Sequence, residues 1–205
     1  MSKKFNSLVL AIIVFEILLM VMGCTGRKVV RENPDKDIDL SGKWNDGDSR
    51  RVSEAMIKDC MGAAWLDKFT SSKNGKQPDV IVGKVKNKSH EHIAVETFIK
   101  DLERSLINSG KVSFVASGGD RQAIREERKD QARHSSEESQ KAPGLEAGAD
   151  FMLTGSVNSI IDSIQSEKVV FYQINLELID MANNRKVWIG EKKIKKYIEN
   201  PSVTY

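Results

Sequence analysis

The chain has 205 residues, with 32 Lys and Arg against 29 Asp and Glu, a formal charge of +3. That length suits one domain with its own core, and so small a net charge gives no general affinity for nucleic acid. Aromatic residues make up 6% of the chain, which leaves no platform for stacking bases, and two cysteines, Cys24 and Cys60, exclude a framework of disulfide staples.

Lys3 and Lys4 precede an apolar run over 5–22, and Gly23 and Cys24 come directly after it. A positive head, an apolar middle and a small residue are the layout of an export signal. With the single cysteine next in the chain, the stretch resembles the lipobox of secreted bacterial lipoproteins. The resemblance implies cleavage after Gly23 and acylation of the Cys24 thiol, which then heads the mature chain. Each buried methylene adds about 0.8 kcal/mol, so two or more acyl chains anchor stably where one does not. An aspartate after the cysteine often marks retention in the inner membrane of such lipoproteins. Thr25 stands there, and the outer membrane is implied instead. The alternative is an uncleaved anchor, since a spanning helix needs about 20 apolar residues.

Residues 25–48 carry Pro34, Asp35, Asp37, Asp39, Asp46 and Asp48 among isolated apolar residues, the pattern of a tether. Fully extended it reaches at most about 80 Å, less if Leu40 and Trp44 dock onto the folded domain. The expected organisation is a signal peptide over 1–23, a lipidated cysteine and tether over 24–48, and one globular domain over 49–205.

A helix is expected from Ser49, with Ser49 or Asp48 as its cap. Val52, Met56, Cys60, Ala63, Leu66 and Phe69 recur at three- and four-residue steps, with Trp65 off that stripe. Cys60 on such a stripe reads as a small buried hydrophobe. Gly75 lies in the break after it. Residues 78–85 read as a strand whose β-branched residues on both faces suggest a covered position, and 87–92 as a polar turn. Val95, Phe98, Ile99, Leu102 and Leu106 mark a second amphipathic helix that Gly110 closes, and 112–115 a short strand. Residues 118–141 alternate charges with almost no apolar residue, a solvated helix with a loop over 135–143.

The last third predicts three strands, 151–164, 169–180 and 185–198. In the middle one Val170, Tyr172, Ile174, Leu176 and Leu178 alternate, so one face is buried. Asn183 and Asn184 tolerate the positive φ of a tight turn. The fold class expected is α/β: a mixed sheet of four or five strands with helices packed on it, ending in an antiparallel meander. Tyr172 and Trp188 read as core aromatics within it.

Residues that carry chemistry are sparse. His90 and His92 flank Glu91, but alternate positions diverge and no third ligand lies near, so no metal or other cofactor is expected. Ser117-Gly118-Gly119-Asp120 lacks the Lys-Ser/Thr of a phosphate loop and reads as a turn before a helix. No serine sits in a nucleophile elbow and no carboxylate pair is placed for acid–base work, so neither an enzyme nor a small-molecule substrate is expected.

Several segments in order carry a resemblance: Asp48-Ser49-Arg50, Trp65-Leu66, Pro78 to Gly83 with Asn87 after it, Leu106 to Val112, Gly148 to Gly155, and Tyr172, Leu176, Leu178, Asp180 and Trp188. Together they resemble the outer-membrane lipoprotein activators of bifunctional penicillin-binding proteins, the LpoB type. That implies a fold similar to the N-terminal domain of the periplasmic TolB protein and to the core of the curli secretion lipoprotein. It also implies a non-catalytic partner of a penicillin-binding protein, attached to the outer membrane by lipid and facing the periplasm. The exposed charged segment, with Arg121, Arg125, Arg128 and Arg133, is the expected docking element, having little core duty. The alternatives are a structural component of an envelope assembly, for which the amphipathic membrane strands of a pore are missing, and an exported hydrolase, for which no nucleophile and base can be named.

Overall fold

A computed structural model describes residues 28–199 apart from 137, 140, 142, 143 and 145. Gly23 and Cys24, and with them the expected cleavage and lipidation, lie outside the described residues. The chain divides into one unit over 1–36 and a second from Asp37 onward. In the first, the described residues 28–36 are exposed, and Lys36 pairs with Glu32 at 2.9 Å. No helix of the described residues is long and apolar enough to cross a membrane.

The second unit runs α1 (Asp46–Gly62), α2 (Ala64–Ser72), β1 (Asp79–Lys88), α3 (Val95–Asn108), β2 (Ser113–Phe114), α4 (Gly118–His134), β3 (Phe151–Ile164), β4 (Glu167–Asp180) and β5 (Lys186–Glu199). One five-stranded sheet has the order β2-β1-β3-β4-β5. β1 is parallel to both its neighbours, because helical crossovers separate it from β2 and β3 in the chain. The meander β3-β4-β5 is antiparallel, as short turns require. The mixed sheet and closing meander are those expected.

The core lies on one face of the sheet. On β4, Val170, Tyr172, Ile174, Leu176 and Leu178 are each 2% exposed or less. Over them pack the stripes of α1 (Val52, Met56, Cys60) and α3 (Phe98, Ile99, Leu102, Leu106). Burying an aliphatic or aromatic side chain of this kind contributes about 1.5 to 3 kcal/mol, so the period of two in β4 and of 3.6 in the helices fixes which faces meet. Trp188 of β5 is buried in the same core.

Three local readings need correction. The helix expected from Ser49 starts earlier, because Asn45 is the cap: its side chain accepts from the Asp48 N–H while Asp48 accepts from the Asn45 N–H, a reciprocal capping box. The same helix breaks at Ala63, whose ψ of 146° is extended. The break turns Trp65 inward to 5% exposure, and its indole N–H donates to the Cys60 carbonyl at 3.0 Å, an acceptor in the last turn that also takes the Ala63 N–H. The off-stripe position of Trp65 is thus the mark of the break. Finally, β1 continues to Lys88 through a register shift between Val82 and Val85, so 87–88 are strand and not turn.

Candidate docking surface

α4 buries none of its residues, in keeping with the alternating charges of its sequence. Asp120 lies in its first turn and Arg133 and His134 in its last, which suits the helix dipole at both ends. Gln122 pairs with Glu126 at 2.7 Å and Gln131 with Glu127 at 2.9 Å, four residues apart. These contacts are worth only a few tenths of a kcal/mol each. Beyond the helix itself, its arginines pair with Glu146 of the loop before β3.

Arg125 forks onto the Glu146 carboxylate, with Nε at 2.8 Å and Nη2 at 2.9 Å. One turn on, Arg128 Nη1 stands 3.7 Å from the same group. That nitrogen is buried and has no hydrogen-bond acceptor among the described residues. The Arg125 hydrogen bond holds the Glu146 carboxyl below the usual carboxylate range, with the charges of Arg125, Arg128 and Arg121 adding to it. A cavity of about 610 Å³ opens here, lined by Arg125, Arg128, Lys129, Ala132, Arg133 and Glu146 among others. Of the four arginines expected to dock a partner, three meet at this cavity, and Arg121 lies outside its lining. Four cations against one carboxylate leave it positive. Glu146 carries no mark in the sequence, since a lone acid in a Gly-rich loop has no pattern.

A second cluster fastens the chain ahead of α1. Asp37 receives Arg50 at 2.5 Å and Arg51 at 2.6 Å. Lys196 of β5 reaches Asp39 at 2.9 Å and the buried Asp48 at 2.7 Å. Loss of water around Lys196 works against its charge, but the hydrogen bonds to Asp39 and Asp48 outweigh it, and its pKa is raised. The Lys196 hydrogen bond lowers that of Asp39. Trp44 docks edge-on against Tyr172, ring centres 5.4 Å apart, while Leu40 stays 92% exposed. Glu91 accepts from the Trp44 N–H and from the Tyr172 hydroxyl. Burial, then this bond, push the Tyr172 hydroxyl pKa up. His90 stacks on the Tyr172 ring and shares a 2.7 Å hydrogen bond with Ser159. Glu91 and His90 are thus held in packing and hydrogen-bond contacts around Tyr172, and no group of metal-ligating side chains occurs among the described residues.

A third feature is on the sheet face away from the helices, where Lys84, Lys86 and Lys88 of β1 are exposed. Their alternation is plain in the sequence, but it is legible as one row only when β1 is known to run through Lys88.

Compared with known proteins, residues 48–194 match the family described as peptidoglycan-synthase activator LpoB. No curated protein matches the chain. Among solved structures, the LpoB C-terminal domain from Salmonella enterica is similar over 69% of this chain and 96% of that one, at 13% identity and a TM-score of 0.35. The LpoB of Escherichia coli is similar over 87% and 84%, at 13% identity and a TM-score of 0.36. A lipoprotein from Neisseria meningitidis is similar over 62% and 88%, at 12% identity and a TM-score of 0.38.

Proposed function

The chain belongs to the LpoB family of peptidoglycan-synthase activators, and from that premise we propose that it binds a bifunctional penicillin-binding protein and raises its glycosyltransferase and transpeptidase rates. The observation that carries the reading is the extent of the match, which runs from the capping box of α1 into β5 and so takes in nearly the whole second unit.

The activator works without chemistry of its own. A bound protein stimulates an enzyme only by preferring its active conformation, and the gain is limited by that difference in affinity. A positive cavity at Arg125, Arg128 and Arg133 suits an acidic patch on the synthase. Electrostatic complementarity of this kind chiefly raises the association rate and sets orientation. In this reading an export signal over 1–23, lipid on Cys24 and a tether before the domain hold it at the outer membrane, facing the periplasm.

The test adds the purified full-length chain, in detergent, to the host's bifunctional synthases and follows glycan polymerisation and peptide cross-linking. At least one synthase accelerates, and the double variant Arg125→Glu, Arg128→Glu loses the acceleration while keeping its circular dichroism. If no synthase responds and affinity capture returns an envelope complex instead, the scaffold alternative replaces this one. Growth in radiolabelled palmitate checks the anchor: label absent from the wild type, or kept by Cys24→Ala, removes the lipidation step.

A further inference from the structure

On the sheet face opposite the helices, a polar area that neither the core nor the arginine cavity uses lies between Ile189 on one side and Ile160 with Phe171 on the other. The strand registers align it into rows. Lys88 stands opposite Asn158, Asn158 opposite Gln173, and Gln173 opposite Lys193. The next row runs Lys86, Ser156, Asn175, Glu191. Lys84 and Thr154 line the same groove, of about 430 Å³. Strands about 4.8 Å apart make the rows roughly 14 Å wide, and alternate residues step about 6.6 Å along β1.

The charges of this face are unevenly spent. Glu177 pairs with Lys186 at 2.8 Å, and Glu191 with Lys193 at 2.7 Å. Among the described residues Lys84, Lys86 and Lys88 form no ion pair, though all three are exposed. The centre offers hydroxyls and amides, which both donate and accept. Protein interfaces concentrate aromatic residues and arginine and are poor in lysine and serine, and the two rows contain neither of the favoured types. A flat field of hydroxyls and amides beside a file of free ammonium groups fits a hydroxyl-rich polymer bearing carboxylates.

We propose that this face binds peptidoglycan itself, with Lys84, Lys86 and Lys88 pairing to carboxylates of the peptide stems and the Ser, Thr, Asn and Gln rows hydrogen-bonding the sugars. The choice of this polymer among anionic glycans rests on the activator reading, whereas the charge pattern does not. A protein holding both synthase and polymer would keep the enzyme on its product.

Co-sedimentation with purified sacculi, stripped of covalently attached protein and anionic polymers, tests it with the full-length chain in detergent. The wild type sediments at low salt and is released as salt rises, since exposed pairs are screened. The triple variant Lys84→Gln, Lys86→Gln, Lys88→Gln binds about tenfold more weakly, the sum of three exposed ion pairs. The triple Lys→Arg variant restores binding, which separates charge from misfolding. Amidating the sacculus carboxylates abolishes the difference between wild type and the Gln variant. No sedimentation, or equal sedimentation of wild type and Gln variant on untreated sacculi, overturns the proposal. Loss of synthase stimulation by the Gln variant with sacculus binding unchanged overturns it too, and gives the face to a protein partner. If no variant stimulates any synthase while sedimentation still depends on the lysines, the polymer site stands and the activator reading falls.

Discussion

The Lys196 ammonium lies 2.7 Å from the carboxylate of Asp48, which is 2% exposed. This single contact joins the last strand to the capping box of the first helix, and through Asp39 it also holds the segment ahead of that helix. Removing one partner of a buried pair leaves the other charge uncompensated, which typically costs about 3 to 5 kcal/mol. Lys196→Met should therefore lower unfolding stability by about 3 kcal/mol in urea, the capping N–H groups relieving part of the penalty. Asp39→Asn should cost less than about 1 kcal/mol, because its carboxylate is exposed. Equal effects of the two variants would show that Asp48 is not the partner that matters.

The same cluster contributes at both pH extremes. The pKa of Asp39 is lowered from 3.8, so its contribution is complete above that value and is lost as pH falls through the folded-state value. That of Lys196 is raised from 10.5, so its contribution is complete below that and is lost as pH rises through the folded-state value. Melting temperature against pH should show the Asp39 loss on the acid side of 3.8 and the Lys196 loss on the alkaline side of 10.5, the latter added to the loss that Cys60 begins above 9.0. In Lys196→Met the alkaline loss should shrink, and an unchanged alkaline limb would assign it to other groups.

Burial pushes the Cys60 thiol up to about 12. Since the thiolate is the reactive form, a disulfide reagent should label the native protein at about pH 8 no faster than it unfolds. Stability from the neutral thiol is complete below the ordinary 9.0 and fades as pH rises toward 12. Fast labelling of native protein would mean that the end of α1 opens locally.

A methyl group added at Gly155 would meet the Asn175 carbonyl oxygen at 2.3 Å and Leu176 Cδ2 at 2.7 Å, whereas at Gly148 nothing lies within 4 Å. The carbonyl belongs to backbone and cannot step aside. Gly155→Ala should cost about 3 kcal/mol, the upper part of the range for overpacking, and Gly148→Ala less than about 0.5 kcal/mol. Similar denaturation midpoints for the two would contradict the close approach of β3 and β4.

Glu146 neutralises part of the arginine cavity. Freed of it in Glu146→Gln, Arg125 and Arg128 should bind an acidic synthase surface about threefold faster at low salt, with a steeper salt dependence. Stopped-flow association rates decide this, and slower association would mean that Glu146 presents Arg125 in its binding geometry.

The sequence by itself determined the faces of the elements. The period of two in Val170 to Leu178 and of 3.6 in α1 and α3 marks each buried side, because a residue's place on a strand or helix is a matter of local geometry. The charged, coreless character of α4 was equally legible, since nothing apolar recurs in it. Tertiary structure decided what those patterns could not carry: the order β2-β1-β3-β4-β5, the break at Ala63 that Trp65 seals, and the meetings of Lys196 with Asp48 and Arg125 with Glu146. These pair residues far apart in the chain or draw on a backbone carbonyl, and neither leaves a period to read. The lysine row stands between the two cases: its alternation is local, but only the path of β1 beside β3 sets it against Thr154, Ser156 and Asn158 as one surface.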